Sequence, residues 1–213
     1  MGHGRGGVGA SVVWILIFLG VLVWSGLWPK DRFIWMLEVA PAVIAAFILA
    51  STYKRFPLTP LLYWLILIHS VILMVGGHYT YAEVPLFDHI GEIMGWERNN
   101  YDKVGHFAQG FIPAMVAREI LLRLRVVKGR GWMNFFIVCI ALAISAFYEL
   151  IEWWVAVASG DSSVAFLGTQ GYEWDTQSDM CYALVGAIIA LMTLGRVHDR
   201  QLYRLKRAPV AAP

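Results

Sequence analysis

The chain has 213 residues, of which 59% are hydrophobic and 14% aromatic, and its mean hydropathy is +0.60. A soluble domain is nearer about 45–50% apolar because much of it must face water, so this composition excludes an ordinary soluble protein. The net charge of +2 is small, and no basic patch with interleaved aromatic residues lies away from the apolar runs. Nucleic acid is therefore not an expected partner.

Six apolar segments are long enough to cross a hydrocarbon layer, which takes roughly 20 helical residues. The first segment lacks a small-residue cleavage site and is followed by five more, so we interpret it as a retained helix and not as a signal peptide. We predict an all-α, polytopic transmembrane bundle that forms a single membrane domain over residues 1–213. The six predicted spans cover about 10–28, 34–52, 58–77, 103–123, 132–158 and 176–196.

The charged residues sort to opposite ends of these spans. Thirteen of the seventeen Lys and Arg residues lie on one side, and thirteen of the fifteen acids lie on the other. Because basic loops are retained in the cytoplasm, both termini are predicted to be cytoplasmic and the acidic helix ends extracytoplasmic. Two acidic-side segments are candidates to cap a site there: the segment 78–101, with a short surface helix at 85–94, and the loop 159–174.

Three predicted spans carry polar residues on a single face, at the spacing of a helix. The three stripes, in chain order, are Asp102, His106 and Gln109, then Ser145, Glu149 and Glu152, then Asp175, Asp179 and Tyr182. Span four starts outside, span five ends outside and span six starts outside, so all three stripes lie at the same depth near the extracytoplasmic surface.

Five carboxylates and one imidazole at one depth are costly to expose to lipid, at roughly 2.5–3.5 kcal/mol for each charge near the bilayer centre. Turned inward they repel one another, and Lys103 and Arg98 are among the few bases nearby. A divalent cation held by carboxylates and a neutral imidazole would offset that repulsion. The predicted metal ligands are His106, Glu149, Glu152, Asp179, Asp175 and Asp102, and the predicted surrounding polar pocket contains His78, Gln109, Lys103 and Tyr182.

Purely structural roles compete with this interpretation at the helix starts. Asp102 and Asp175 are alternatively N-cap residues, since aspartate is a favoured cap and the helix dipole favours an acid there. His106 is alternatively a side chain that hydrogen-bonds between helices. The sequence leaves these alternatives open.

The acids of the fifth span are harder to explain structurally. Glu149 and Glu152 lie in the C-terminal half of their helix, where the dipole disfavours negative charge, and they are the candidates for a catalytic role. Glu38 is an isolated acid near the outer end of the second span, and we expect it to pair with Arg32 or Lys30.

Four segments carry a family resemblance: GGHYTYAEVPLFD at 76–88, NYDKVGHFAQGF at 100–111, FYELIEWW at 147–154 and WDTQSDMCYALVGA at 174–187. They resemble the YjdF-like family of bacterial inner-membrane proteins, a domain of unknown function. The resemblance covers most of the chain from the second span onward. It implies a multi-pass protein of the bacterial inner membrane, and it implies no particular reaction.

A more distant pattern is similar to the VanZ-like membrane proteins, which are linked to glycopeptide-antibiotic resistance. The residues that match this pattern are Asp102, Lys103, His106, Glu149, Asp179 and Gly186. The chain departs from it at Glu152 and Ala183, where the wider group usually has Gln and Asn.

Three classes of function follow. The first is a metal-dependent enzyme acting on a lipid or cell-envelope precursor, in which the cation activates water or polarises a phosphate or carbonyl. The second is a protein that binds or transports an ion or small molecule without covalent chemistry. The third is a structural membrane subunit. The inner halves of spans four to six are nearly free of ionisable residues, which favours a one-sided pocket over a continuous path.

Overall fold

The computed structural model describes residues 4–159 and 169–207, with side chains at 9–158 and 169–205. These residues are all-helical, without any strand, as predicted. The helices are α1 (Gly4–Gly26), α2 (Arg32–Thr52), α3 (Pro60–Tyr79), α4 (Pro85–Met94), α5 (Tyr101–Leu124), α6 (Arg130–Ser159) and α7 (Asp175–Arg207). The loop predicted at 159–174 as a second cap lies mostly outside the described residues.

Five helices, α1, α2, α3, α6 and α7, are long and apolar enough to cross a membrane. Large apolar side chains cover their outer surfaces, among them Leu16, Phe47 and Met192, which are exposed. Water would not tolerate so large an apolar surface on a monomer, whereas lipid does. The hydropathy pattern and the exposed apolar surface therefore describe an integral membrane protein.

Helix α5 corresponds to the fourth predicted span but is too polar to be counted among these five. Its 24 residues are about 36 Å long at 1.5 Å per residue, which is enough to cross a bilayer. Asp102, Lys103, Arg118, Glu119 and Arg123 lower its hydropathy. The first four are buried inside the bundle, where neighbouring helices and not lipid surround them. The count of six spans stays a prediction.

The centre of the bundle is α5, which packs against α3, α6 and α7. One apolar cluster joins α3, α5 and α7 through Leu62, Met115 and Ala190. A second joins α5, α6 and α7 through residues that include Ala114 and Ile137. Helices α1 and α2 pack on the other side of α3. Helix α5 contributes side chains to both ends of the bundle, to the acidic end where it begins and to the basic end where it finishes.

The crossing of α5 and α7 is so close that the two backbones touch. A Cβ on Gly110 would lie 1.8 Å from the carbonyl oxygen of Ala183, and a Cβ on Gly186 would lie 2.2 Å from that of Phe107. Small residues allow membrane helices to approach in this way. The crossing brings the start of α5 against the start of α7, where the polar stripes of both helices lie.

The short helix α4 was predicted at the same residues, 85–94. Leu86, Ile93 and Met94 form an exposed apolar stripe, while Asp88 and Glu92 lie on its exposed polar side. Its remaining face is turned to the protein. The sequence begins this helix with Pro85 and ends it at Gly95, which has a left-handed backbone, as is common for a helix C-terminus.

Candidate functional site

The acidic end of the bundle, where α5 and α7 begin, contains three possible metal ligands in contact range. His106 Nε2 lies 3.3 Å from Asp102 Oδ1 and 3.8 Å from Asp179 Oδ2. One ligand atom from each of the three residues falls within 4.8 Å of the others, and all three residues are buried. The arrangement has the donor types and the spacing that a cation held by oxygen and imidazole requires.

The second ring nitrogen of His106 faces another carboxylate. His106 Nδ1 and Glu149 Oε1 are 3.7 Å apart, which is too long for a hydrogen bond, and both atoms are buried without a hydrogen-bond partner among the described residues. In protein metal sites a ligating histidine commonly donates its other N–H to a carboxylate. Glu149 stands where such a carboxylate would be.

Two basic side chains neutralise part of the acidic end. Lys103 Nζ donates to Asp175 Oδ1 and to Asp179 Oδ1, each at 2.6 Å. Arg98 Nη1 donates to the same Asp175 oxygen at 2.6 Å. Tyr172 covers both cations, with its ring centre 5.6 Å from the guanidinium and 5.7 Å from the ammonium. Asp175 Oδ1 is thus shared by two bases, and Asp175 is not among the residues whose ligand atoms converge in the three-residue cluster.

Next to the three-residue cluster lies a cavity of about 20 Å³, large enough for one water-sized group, which needs roughly 10–15 Å³. Its polar lining comes from three helices, α2, α5 and α6, and from the turn that follows α3. The lining residues are Glu38, Leu73, Tyr81, Asp102, Gly105, His106, Gln109, Tyr148 and Glu152. A single small cavity therefore connects the histidine cluster with two further carboxylates.

The structure brings most of the predicted site residues together. Asp102, His106 and Asp179 form the cluster, Glu149 and the Asp175–Lys103 pair surround it, and Gln109 and Glu152 line the cavity. His78 does not reach the cluster, because its Nδ1 donates to the carbonyl of Ser25 at 2.9 Å and its ring stacks on Trp24. Tyr182 is 45% exposed and does not line the cavity.

Two structural expectations are wrong. The N-cap of α5 is Asn100 and not Asp102, which lies in the first turn, and Asp175 is likewise the first residue inside α7. Glu38 does not pair with Arg32 or Lys30. Lys30 bonds to Glu83, and Glu38 Oε2 accepts a hydrogen bond of 2.8 Å from Tyr148, because α2 turns this acid into the bundle.

Three cavity residues with polar side chains were missed by sequence reasoning: Glu38, Tyr81 and Tyr148. The position of Tyr148, four residues before Glu152, was a usable signal, since residues at that spacing share a helix face. Glu38 was noticed as an acid within an apolar span but was assigned to the wrong partner. For Tyr81 the signal was weaker, because its position depends on the turn that follows α3.

A second buried ionisable cluster lies at the basic end, where α5 finishes, so the expectation that the inner halves of spans four to six are nearly free of ionisable residues is wrong for the fourth span. Glu119 accepts from Thr59 Oγ1 at 2.8 Å, from Arg123 Nη1 at 2.9 Å and from His198 Nε2 at 2.9 Å. The backbone N–H of Thr59 adds contacts of 3.1 and 3.2 Å. Arg118 Nη1 lies 2.7 Å from His198 Nδ1. Because arginine only donates, His198 Nδ1 must accept and its Nε2 must carry the proton.

Two comparisons with known proteins identify the same family of membrane proteins. The profile of the family of predicted membrane proteins of unknown function, DUF2238, matches residues 10–200. The chain is 54% identical over 184 residues to the inner membrane protein YjdF of Escherichia coli K12, which covers 86% of this chain and 88% of that protein. No solved structure matches significantly. The similarity to VanZ-like proteins stays a prediction. The chain belongs to the DUF2238 family and is an integral inner-membrane protein.

Proposed function

We propose that this protein binds one divalent cation at the acidic end of the bundle, with Asp102, His106 and Asp179 as ligands. The observation that supports this most strongly is the convergence of three buried ligand atoms within 4.8 Å. Glu149 lies on the other side of the imidazole, 3.7 Å from Nδ1, where a small approach would let it accept the N–H and orient the ring. Three protein ligands leave coordination positions open for water or a bound molecule, as in catalytic metal sites.

The balance of charge favours a cation over an anion. Six buried carboxylates face the site, from Glu38, Asp102, Glu149, Glu152, Asp175 and Asp179. Within the described part of the chain they are met by Lys103, Arg98 and the imidazole of His106. A divalent ion reduces the remaining repulsion, whereas a free anion would add to it.

The ligand set indicates the kind of metal. Two carboxylates and one imidazole suit borderline and hard ions such as Mn²⁺ or Zn²⁺, and the lack of a thiolate in the cluster disfavours soft ions. The cysteines of the chain, Cys139 and Cys181, are free and exposed on the bundle surface, away from these ligands. We use Mn²⁺ and Zn²⁺ as the test ions for this reason.

We further propose that the bound cation acts on a lipid or cell-envelope precursor from the outer leaflet. With the orientation predicted from the basic loops, the acidic end faces outward. A cation there would polarise a phosphate or carbonyl oxygen of a ligand lying at the interface. Glu152, a cavity residue that is not one of the three ligands, is a candidate general base.

One-sided binding is better supported than transport through the bundle. The basic end is closed by the Glu119 network, whose carboxylate is fully buried and bonded to Thr59, Arg123 and His198. An ion path would require carriers or water between this network and the acidic end. The tight contact of Gly110 with Ala183 lies in that interval.

The test is a titration of the purified full chain in detergent, after chelation, with MnCl₂ or ZnCl₂ by isothermal calorimetry. One site per chain is expected in the parent. Asp179→Asn should lose the site, and Glu149→Gln should weaken it roughly 10–100-fold, as expected for a residue that orients a ligand. The matched control is Glu92→Gln, since this acid is 80% exposed on α4. Equal binding by Asp179→Asn and the control would contradict the proposal.

Catalysis is separated from simple binding by a second assay. Detergent-solubilised protein, where no gradient exists, is incubated with phosphate-bearing envelope lipids and the products are resolved by mass spectrometry. Turnover that requires both the cation and Asp179 would assign an enzyme. Intact cation binding with no consumption of any lipid would assign a binding protein.

A further inference from the structure

The cavity has a second wall whose carboxylates lack a basic partner. Glu38 and Glu152 are 6% and 8% exposed, and across the described residues neither forms an ion pair with Lys or Arg. The bases of the acidic end are engaged elsewhere: Lys103 and Arg98 pair with Asp102 and Asp175, and Lys103 also with Asp179. Two buried carboxyl groups thus border the same small space, with the imidazole of His106 as the basic side chain that also lines it.

The remaining groups on this wall are neutral and able to hydrogen-bond. Tyr148 donates to Glu38 Oε2 at 2.8 Å, and Tyr81 lines the same space. Gln109 also lines it, and its Oε1 is buried with no hydrogen-bond partner among the described residues. An amide oxygen and carboxylate oxygens accept hydrogen bonds. The wall is therefore rich in acceptors and suits a ligand that donates.

Tyr81 is held in place by an unusual local structure. Thr80 and Tyr81 both have positive φ, at 57° each, a conformation that residues other than glycine rarely adopt and that concentrates at functional sites. The ring lies in a slot between two helices that only glycine permits. A Cβ on Gly76 would lie 2.3 Å from the ring, and one on Gly105 would lie 3.0 Å from it. Burial raises the pKa of the Tyr81 phenol well above its usual value, so its hydroxyl keeps its proton.

We propose that this wall, formed by Glu38, Tyr81, Gln109, Tyr148 and Glu152, is a binding subsite for a primary ammonium group. The space of about 20 Å³ suits a group as small as the ammonium of a primary amine and disfavours a bulky quaternary amine. An ammonium carries a positive charge and at least three N–H donors, which match two carboxylates and an amide oxygen. The inference goes beyond the divalent-cation site, since it assigns a second ligand to a different wall of the cavity.

Two sources can supply this chemistry: free ammonium, or the primary amine of a lipid headgroup at the interface. They are distinguished by two arms of one experiment on the purified full chain. In detergent, the thermal unfolding midpoint is followed with ammonium, methylammonium, potassium and tetramethylammonium chlorides at constant ionic strength. In nanodiscs, the midpoint is compared between phosphatidylethanolamine and phosphatidylcholine.

Stabilisation by ammonium and methylammonium, but not by potassium or tetramethylammonium, supports the subsite. Potassium has a similar size but donates no hydrogen bond, so it tests the donor requirement. Stabilisation by phosphatidylethanolamine over phosphatidylcholine, lost in Glu152→Gln, identifies a lipid headgroup as the source. An equal response to all four salts together with equal midpoints in both lipids would overturn the proposal.

The variants keep the test informative if one of them fails to fold. Glu152→Gln should abolish the ammonium response, and Tyr81→Phe, which removes only a hydroxyl, should weaken apparent ammonium affinity about tenfold, as for a lost hydrogen bond to a charged group. Glu92→Gln is the matched control. An unchanged ammonium response in both Glu152→Gln and Tyr81→Phe would sink the inference.

Failure of this inference is distinguishable from failure of the divalent-cation site. Asp179→Asn should lose Mn²⁺ binding while keeping the response to ammonium. Loss of the ammonium effect with intact Mn²⁺ binding would remove the subsite alone. If the parent does not bind Mn²⁺ but still responds to ammonium, only the proposed metal site is ruled out.

Discussion

The two ends of α5 both bury ionisable side chains, and they differ in how far those side chains are satisfied. At the basic end every oxygen of Glu119 has donors, and His198 uses both of its nitrogens. At the acidic end several buried polar atoms have no partner among the described residues, including His106 Nδ1, Gln109 Oε1 and Glu149 Oε1. No such atom is found at the basic end within the same residues.

This difference is the one expected between a structural cluster and the binding cluster proposed for the acidic end. A buried polar group without a partner costs roughly 1–3 kcal/mol, more if it is charged. Proteins keep such groups mainly where a ligand, ion or water satisfies them. The basic end is complete by itself and ties α3, α5 and α7 together, whereas the acidic end leaves polar atoms unsatisfied, as the binding site proposed there would require. The predictions below test that contrast.

The largest effect is expected from removing the central acid of the basic end. Glu119→Gln replaces a carboxylate that accepts from Thr59, Arg123 and His198, so it places an amide N–H against existing donors. We expect a loss of about 3–5 kcal/mol, as for a broken buried ion pair, measured by unfolding of the purified protein in detergent. Asp199→Asn is the control, because this side chain is 56% exposed, and it should cost less than about 1 kcal/mol.

A smaller but still large effect is expected at the helix crossing that the two ends share. Gly110→Ala or Gly186→Ala would place a Cβ within 1.8 or 2.2 Å of a carbonyl oxygen, so the helices must separate. Overpacking of this kind costs about 1–3 kcal/mol, and cation binding should weaken with it. Gly195→Ala on α7 meets no atom within 4 Å and should be neutral or slightly stabilising. Similar behaviour of all three variants would argue against the close crossing.

A Glu→Gln substitution at the acidic end, in contrast to the one at Glu119, should hardly change the free energy of unfolding. Glu149→Gln removes a charge whose Oε1 has no hydrogen-bond partner among the described residues and relieves repulsion with neighbouring carboxylates. We expect the metal-free protein to remain within about 1 kcal/mol of the parent, by the unfolding assay used for Glu119→Gln. A loss as large as that of Glu119→Gln would erase the distinction between the two ends.

The smallest effect sets the baseline for an ion pair in water. Lys30 and Glu83 form a salt bridge with side chains 48% and 53% exposed, at the acidic end but outside the cavity. Lys30→Met should change the unfolding free energy by less than about 1 kcal/mol, and added salt should shrink even that difference. A larger change would mean that the loops at this end contribute more to the stability of the cluster than their exposure suggests.

Much of the fold follows from patterns local to the sequence. Long apolar runs predict the helices, because lipid requires every backbone group to be satisfied within its own segment. Helical spacing alone aligned Asp102 with His106 and Asp175 with Asp179, and both pairs lie at the acidic end of the bundle. The short helix at 85–94 was also readable from its alternation of apolar and polar residues.

The remainder depends on contacts between distant segments, which periodicity does not encode. The bond from Tyr148 to Glu38 joins residues 110 positions apart, and the assignment of Glu38 to a nearby base was wrong for that reason. The basic-end network was hidden because Arg118, Glu119 and His198 resembled ordinary flanking charges. Which faces of α5 and α7 meet became clear from the structure, where Gly110 packs against the backbone of Ala183.

The fixed tautomer of His198 has a consequence for how two helices are set against each other. Its Nδ1 accepts from Arg118 and its Nε2 donates to Glu119, so the two nitrogens are committed to different partners. Turning the imidazole over would place its N–H against the guanidinium and its lone pair against the carboxylate, and both contacts would be lost together. The ring therefore fits in one orientation only, which fixes the rotation of α7 about its own axis relative to α5 at this end of the bundle.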